Sequence, residues 1–159
     1  MSTEASVRTF FSSPSFAVVG ASSNPDKYGH KVFAWYTSHS LPVSPINPST
    51  PQISVSGTNY TTIPSLSALP DPKTTSVSII TPPKATLAVL KEARELGVPS
   101  VWMQPGSFDE EVLKFAREGE GEEGGKGFKA VVAGEGGRGG EGWCVLVDGE
   151  RGLRAAGKL

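Results

Sequence analysis

Short apolar runs alternate with longer amphipathic stretches, regularly so over the first two-thirds of the chain. Phe16–Gly20 (FAVVG) is a continuous apolar run, the pattern of a strand buried on both faces. Tyr28–His39 places Val32, Trp35, Tyr36 and His39 at helical spacing. Leu41–Ile46 reads as a second, proline-broken strand and Val77–Thr81 (VSIIT) as a third. Lys84–Leu96 is predicted as a helix with Ala85, Val89, Ala93 and Leu96 on one face, ended by Gly97 and Pro99. Val101–Gln104 (VWMQ) is a fourth strand. Ser107 and Glu110 have capping-box spacing and open a helix whose apolar side is Phe108, Val112 and Phe115. Phe128–Ala133 and Trp143–Val147 (WCVLV) read as the last two strands. This rhythm predicts an α/β domain of three layers: a doubly wound, mostly parallel sheet of five or so strands with helices on both faces. Loops that follow the strands then share one edge, where ligands of such sheets bind.

Composition changes the picture in the last third. All 13 prolines lie at or before Pro105, whereas 14 of the 19 glycines lie at or after Gly119. Glu118–Gly127 (EGEGEEGGKG) and Gly134–Gly142 (GEGGRGGEG) are low-complexity and are expected to be mobile loops with solvated glutamates. The 159 residues suit one domain spanning 1–159, large enough to need no metal or disulfide staple. A net charge of −1 and a pI near 6.1 remove the electrostatic case for nucleic acid. No apolar run approaches the roughly 18 residues of a membrane span, so no membrane partner is expected. The opening residues carry no apolar core of a secretory signal, and Cys144 is the single cysteine, so a reducing, cytoplasmic setting is expected. Two histidines and one cysteine make a structural zinc site an unfavourable reading.

The richest stretch chemically is Gly20–Gly29, GASSNPDKYG, between the first strand and the first predicted helix. Gly20 permits a tight turn, Ala21 is small, Ser22 offers a hydroxyl, and Lys27 adds a mobile cation. The helix that follows contributes free N–H groups and a positive dipole end, a combination that suits phosphate oxygens. Small polar turns are also ordinary in this fold, so composition by itself leaves an anion site and a plain connection equally open. The loop is not the dinucleotide fingerprint, because Ser22 and Pro25 stand where GxGxxG needs glycine, and no GKS or GKT occurs. The second strand ends in Asn47-Pro48 rather than the Asp or Glu that anchors a nicotinamide ribose. A neutral Asn47 admits a 3′-phosphorylated adenosine that a carboxylate would repel.

FAVVGASSNPDKYGHKVF, VSPINPST and VSIITPPKATLAVLKEARELGVPSVWMQPGSFDEEV together resemble the small coenzyme A-binding domain family. They are also similar to the nucleotide-binding domain that opens succinyl-CoA synthetase α subunits. The likeness covers roughly Phe16 to Glu118 and rests on the GAS-x-NP loop, the INP turn, the TPP turn and the WMQPG strand end. It implies a Rossmann-like fold of the NAD(P)-binding superfamily and a CoA site over these loops. The implied cofactor-binding residues are Gly20, Ala21, Ser22, Asn24, Lys27, Tyr28, Asn47, Pro48, Thr81, Pro82, Pro83 and Gln104. Pyrophosphate would lie at Ala21, Ser22 and the helix start, adenosine near Asn47 and Pro48, and pantetheine near Thr81, Pro82, Pro83 and Gln104. The phosphohistidine domain of the synthetase has no counterpart, and the glycine-rich segments depart from the family pattern as insertions.

Several side chains admit plainer readings. Cys144, in an apolar run, is expected to pack as a small core residue. His30 and His39 fall on poorly matching helix faces, and His30 reads as a surface histidine. Asp109, Glu110 and Glu111 lie in a first helical turn, where the dipole favours them. No metal or catalytic set assembles from spacing, so no catalytic residue is assigned. The leading expectation is a non-catalytic or regulatory module that binds coenzyme A or an acyl-CoA. The runners-up are a small NAD(P)-linked oxidoreductase and an interaction domain with a vestigial nucleotide pocket; a homodimer is left open.

Overall fold

In the computed structural model, which describes residues 1–159, five parallel strands form one sheet. They are β1 (Ser15–Val19), β2 (Val43–Ile46), β5 (Thr75–Ile79), β6 (Ser100–Met103) and β7 (Ala130–Val132), in the spatial order β2-β1-β5-β6-β7. The segment between β2 and β5 carries a separate antiparallel hairpin, β3 (Gln52–Val55) and β4 (Thr58–Thr61), turning at Ser56-Gly57. From β2 the chain crosses back over β1 to lay β5 on its other side. Crossovers from this point run in opposite directions, which opens a crevice between the C-terminal ends of β1 and β5.

The helices are α1 (Glu4–Phe11), α2 (Tyr28–Ser38), α3 (Pro83–Leu96), α4 (Glu110–Arg117) and α5 (Val145–Ala155). Alternation along β1 sends Phe16 and Val18 into a core with α1, α2 and α5, and Ala17 and Val19 into a second core with α3 and α4. The first core is aromatic: Phe10, Phe11, Phe16, Trp35 and Trp102 stack with ring centroids 5.1–5.9 Å apart. The expected three-layer, Rossmann-like architecture is therefore present, with every pairing in the main sheet parallel.

Three expectations are corrected. Trp143–Val147 is no strand; Cys144 instead opens α5. The buried side of that helix is Val145, Asp148, Gly149, Gly152 and Leu153, at helical spacing but too small and polar to register as an apolar stripe. Small residues are required because a Cβ on Gly149 would stand 2.3 Å from the Trp35 ring, and one on Gly152 2.2 Å from Val7. Second, the cap of α4 is Asp109, whose side chain accepts the Val112 N–H at 2.9 Å. Ser107 instead donates to the Gln104 carbonyl at 2.7 Å. Third, the first glycine-rich segment is not all solvated loop. Glu120 accepts the Val131 N–H at 2.6 Å and pairs with Arg117 at 2.8 Å, while Ser2 Oγ accepts the Ala133 N–H at 2.8 Å. These groups close the free edge of β7, which would otherwise invite another strand.

The N-terminal helix was not anticipated from the sequence. Thr3 and Ser6 form its capping box, and its Phe10 and Phe11 are fully buried.

Candidate functional site

Strand ends converge at the crevice through backbone bonds that run from one edge loop to the next. Gly20 N–H donates to Ile46 at 3.1 Å, Ile80 N–H to Val19 at 3.0 Å, and Gln104 N–H to Ile79 at 3.1 Å. Gly20 has φ +99°, a left-handed conformation that only glycine adopts freely, so β1 can turn at once into the loop. Gly29, in the first turn of α2, lies directly on the Gly20 carbonyl: a Cβ there would be 1.9 Å from its oxygen. The helix start is thereby drawn against the strand end, the role the last glycine of a dinucleotide fingerprint serves elsewhere.

The loop between these glycines is held by its own side chains. Ser22 Oγ accepts the Asn24 N–H at 3.1 Å, and Asn24 Oδ1 accepts the Asp26 N–H at 3.0 Å. His30 Nδ1 donates to the Ser22 carbonyl at 2.9 Å. Ser23 Oγ accepts the Ser54 N–H at 3.0 Å, which ties the hairpin to this loop. Lys27 is exposed at the N-cap of α2 and makes no capping bond, leaving the Tyr28 and Gly29 N–H groups without a partner in the chain.

The same is true of α3 across the crevice. Its cap is Pro82, its first residue is Pro83, and the Lys84 and Ala85 N–H groups are unpartnered. Neither α2 nor α3 has an acid in its first turn. By contrast α1 and α4 carry side-chain caps and acids there, and the first N–H of α5, from Val145, donates to Gln104 Oε1 at 2.9 Å. Two unneutralised positive helix ends therefore flank the crevice.

Against α3, and reaching Gly20 at the end of β1, lies a cavity of about 380 Å³ with mainly apolar walls, within the range of small-molecule sites. It brings together Gly20, Asn47, Pro48 and Thr81. The loop residues Ala21, Ser22, Asn24, Lys27 and Tyr28, and the helix openers Pro82 and Pro83, do not line it. Gln104 is not part of it; this side chain is fully buried against the start of α5. Asn47 spends both ends of its amide inside the protein, Nδ2 on the Ala21 carbonyl and Oδ1 on the Ser49 N–H, both at 2.9 Å. It thus splints the first loop to the second. Thr81 Oγ1 meets Thr86 Oγ1 at 2.8 Å, fixing the TPP turn on α3.

Sequence reading missed Leu66, Ala88 and Glu92 in the cavity wall. The spacing Ala85, Ala88, Val89, Glu92 was the available signal, since it marks one face of α3. Ala85 and Val89 were expected to face the core, but Thr86, Leu90 and Ala93 are the buried residues of α3. A larger polar groove, about 1030 Å³, lies at the opposite edge of the sheet between Lys73, Arg94 and the 121–127 segment, and contains none of the expected site residues.

Beside the crevice, the Tyr28 hydroxyl hydrogen-bonds with Cys144 Sγ. Burial first, and then this bond, push the Tyr28 phenol far above its ordinary range, so it holds its proton. Cys144 is thus a helix-start residue in contact with the first loop, not the strand residue expected. The two histidines are held apart, His30 against Ser22 and His39 on Glu150 at 3.1 Å. No group of His, Cys, Asp and Glu could hold a metal ion, and no helix is long and apolar enough to cross a membrane.

The family model of the CoA binding domain matches residues 14–132. The chain belongs to this family. No curated protein matches it. Among solved structures, a hypothetical protein from Pyrococcus horikoshii OT3 is 27% identical with a TM-score of 0.73, over 96% of this chain and 93% of that one. A conserved hypothetical protein from Pyrococcus furiosus is 34% identical with a TM-score of 0.56, over 65% and 85% of the two chains. A Thermus thermophilus protein is 25% identical with a TM-score of 0.71, over 95% and 99%.

Proposed function

We propose, from the chain's membership of the CoA binding domain family, that it binds coenzyme A or an acyl-CoA along the C-terminal edge of its sheet. The observation that carries this reading is an apolar cavity whose wall includes Ala85, in the first turn of uncapped α3, and Gly20, on which Gly29 of uncapped α2 packs; neither helix start holds an acid. A ligand with a flat apolar end and a diphosphate fits both. In this reading the adenosine occupies the cavity beside Pro48, Leu66 and Val89. The diphosphate takes the free N–H groups of α2, the Ser22 hydroxyl and Lys27. The arm then runs past Thr81, Pro82 and Pro83. Gly20 and Ala21 let the diphosphate approach the backbone, Asn24 shapes the turn, and Asn47 positions the loops without contributing charge. Gln104, fully buried in this structure, would lie behind the far end of the arm.

A nicotinamide dinucleotide is the poorer fit. No carboxylate ends β2, and the Asn47 amide that replaces it is already bonded at both ends. The role proposed is a binding or regulatory one: neither histidine pairs with Cys144 or with a serine hydroxyl at this edge.

Thermal melts with CoA, dephospho-CoA and NAD test the reading. A ligand at a hundredfold its dissociation constant stabilises by about 2.7 kcal/mol, a shift of roughly 5–10 °C for a domain of this size. Lys27→Glu should weaken CoA about tenfold or more at low salt, and less at high salt, because an exposed charge is screened. No shift with CoA, or equal shifts with CoA and NAD, would overturn the assignment.

A further inference from the structure

The reading above gives no role to the only thiol of the chain and does not say what the buried Gln104 amide beside it donates to. Cys144 sits at the N-cap of α5, on the same edge of the sheet as the first loop. Its Sγ is in contact with the hydroxyl of Tyr28, the first residue of α2. Its own N–H is held by Asp148 Oδ2 at 3.0 Å, so the residue's backbone is fixed from within α5. Gln104 supplies the independent observation. It is 0% exposed, and its carboxamide is turned to the Cys144–Val145 peptide, Oε1 accepting that N–H at 2.9 Å. The other end of the amide, Nε2, has no partner. A buried donor left open costs about 1–3 kcal/mol, and this one belongs to the carboxamide bonded to the Cys144–Val145 peptide.

We infer that Cys144 is a thiol–disulfide exchange site for the CoA class of ligand, with Gln104 Nε2 donating to an amide carbonyl of the bound arm. The inference rests on the proposed function, since it is CoA that combines a diphosphate for α2, amide carbonyls for Gln104 and a terminal sulfur. The co-reactant is the disulfide form of CoA. The Cys144 sulfur, its proton released to water, attacks one sulfur of that disulfide. A new S–S bond joins Cys144 to CoA, the original S–S bond breaks, and the departing CoA thiolate takes up a proton. Cys144 is oxidised and the departing CoA is reduced, so electrons balance without a further oxidant. Cys144 is 7% exposed and in contact with Tyr28, and Gln104 is 0% exposed, so exchange requires Tyr28 to swing aside and the start of α5 to open with it. Occupation of the α2 start by the diphosphate would place the reagent where that movement happens.

Intact-mass measurement of the whole protein with CoA disulfide, glutathione disulfide and cystine tests this, with Cys144→Ser and Tyr28→Phe alongside. Binding before reaction gives an effective concentration on the order of millimolar, so at ~0.1 mM reagent CoA disulfide should label at least about tenfold faster than the others. The adduct should be one CoA per chain, removed by dithiothreitol and absent from Cys144→Ser. Tyr28→Phe, which loses the bond to Sγ, should label faster with glutathione disulfide. Equal labelling by all three disulfides would show generic thiol reactivity and overturn the inference. No adduct on a protein whose melting temperature CoA still raises would overturn it while sparing the proposed function. Failure of CoA to shift the melt of either parent or Cys144→Ser would overturn both.

Discussion

Replacement of Gly29 by alanine tests the geometry on which the first loop depends. The added Cβ would stand 1.9 Å from the Gly20 carbonyl oxygen and 2.9 Å from its carbon. An ordinary C···O contact is about 3.3 Å, so strand end and helix start must part by more than about 1 Å. Both groups are main chain, and no rotamer change relieves them. Overpacking of this kind costs about 1–3 kcal/mol, and the better helix propensity of alanine returns at most about 1 kcal/mol. The expected net loss is about 1–2 kcal/mol, a fall in melting temperature of roughly 2–8 °C. The same displacement moves the free N–H groups of Tyr28 and Gly29, so CoA affinity should drop about tenfold or more. Gly140→Ala is the control, because a Cβ there meets nothing within 4 Å and should change stability by less than about 0.5 kcal/mol. Urea melts and titration calorimetry on the three proteins suffice. If Gly29→Ala melts with the parent and binds CoA as tightly, close approach of α2 to Gly20 does not build the site.

Glu120→Ala should cost about 1–3 kcal/mol, because it strips the Val131 N–H at the edge of β7 of its acceptor and removes the ion-pair partner of Arg117. Urea midpoints read this, and a neutral result would return Glu120 to the solvated loop. Tyr36, fully buried, has its phenol pushed well above the usual range by desolvation, which the Ser78 hydrogen bond only partly offsets. The unfolded chain therefore releases this proton first, so stability is full below about pH 10 and falls as pH rises further, by about 1.4 kcal/mol per unit from this residue. Urea midpoints at pH 9, 10 and 11 should show a flatter decline for Tyr36→Phe, and an unchanged slope would refute the attribution.

The amino-acid sequence alone determined the strand–helix rhythm, the parallel sheet and the loops that would carry a ligand. Strands buried on both faces must be apolar throughout, so FAVVG and VSII declare themselves without reference to anything else in the chain. Gly20 and the TPP turn are equally local, because backbone turns are chosen by the residues that make them. What only the tertiary structure decided depends on the neighbour across the contact. WCVLV reads as a strand until Trp35, Val7 and Phe11 press against Gly149 and Gly152, which lets 145–155 pack as a helix. Glu120 looks solvated until β7 presents an unpaired N–H, and Asn47 looks free until the Ala21 carbonyl takes its amide. Cys144 and Tyr28 are 116 residues apart in sequence and meet only because α5 returns to the edge where α2 begins. Local periodicity tells which side of an element is buried. Which donors and acceptors remain free for a ligand is settled by partners that only folding brings within reach.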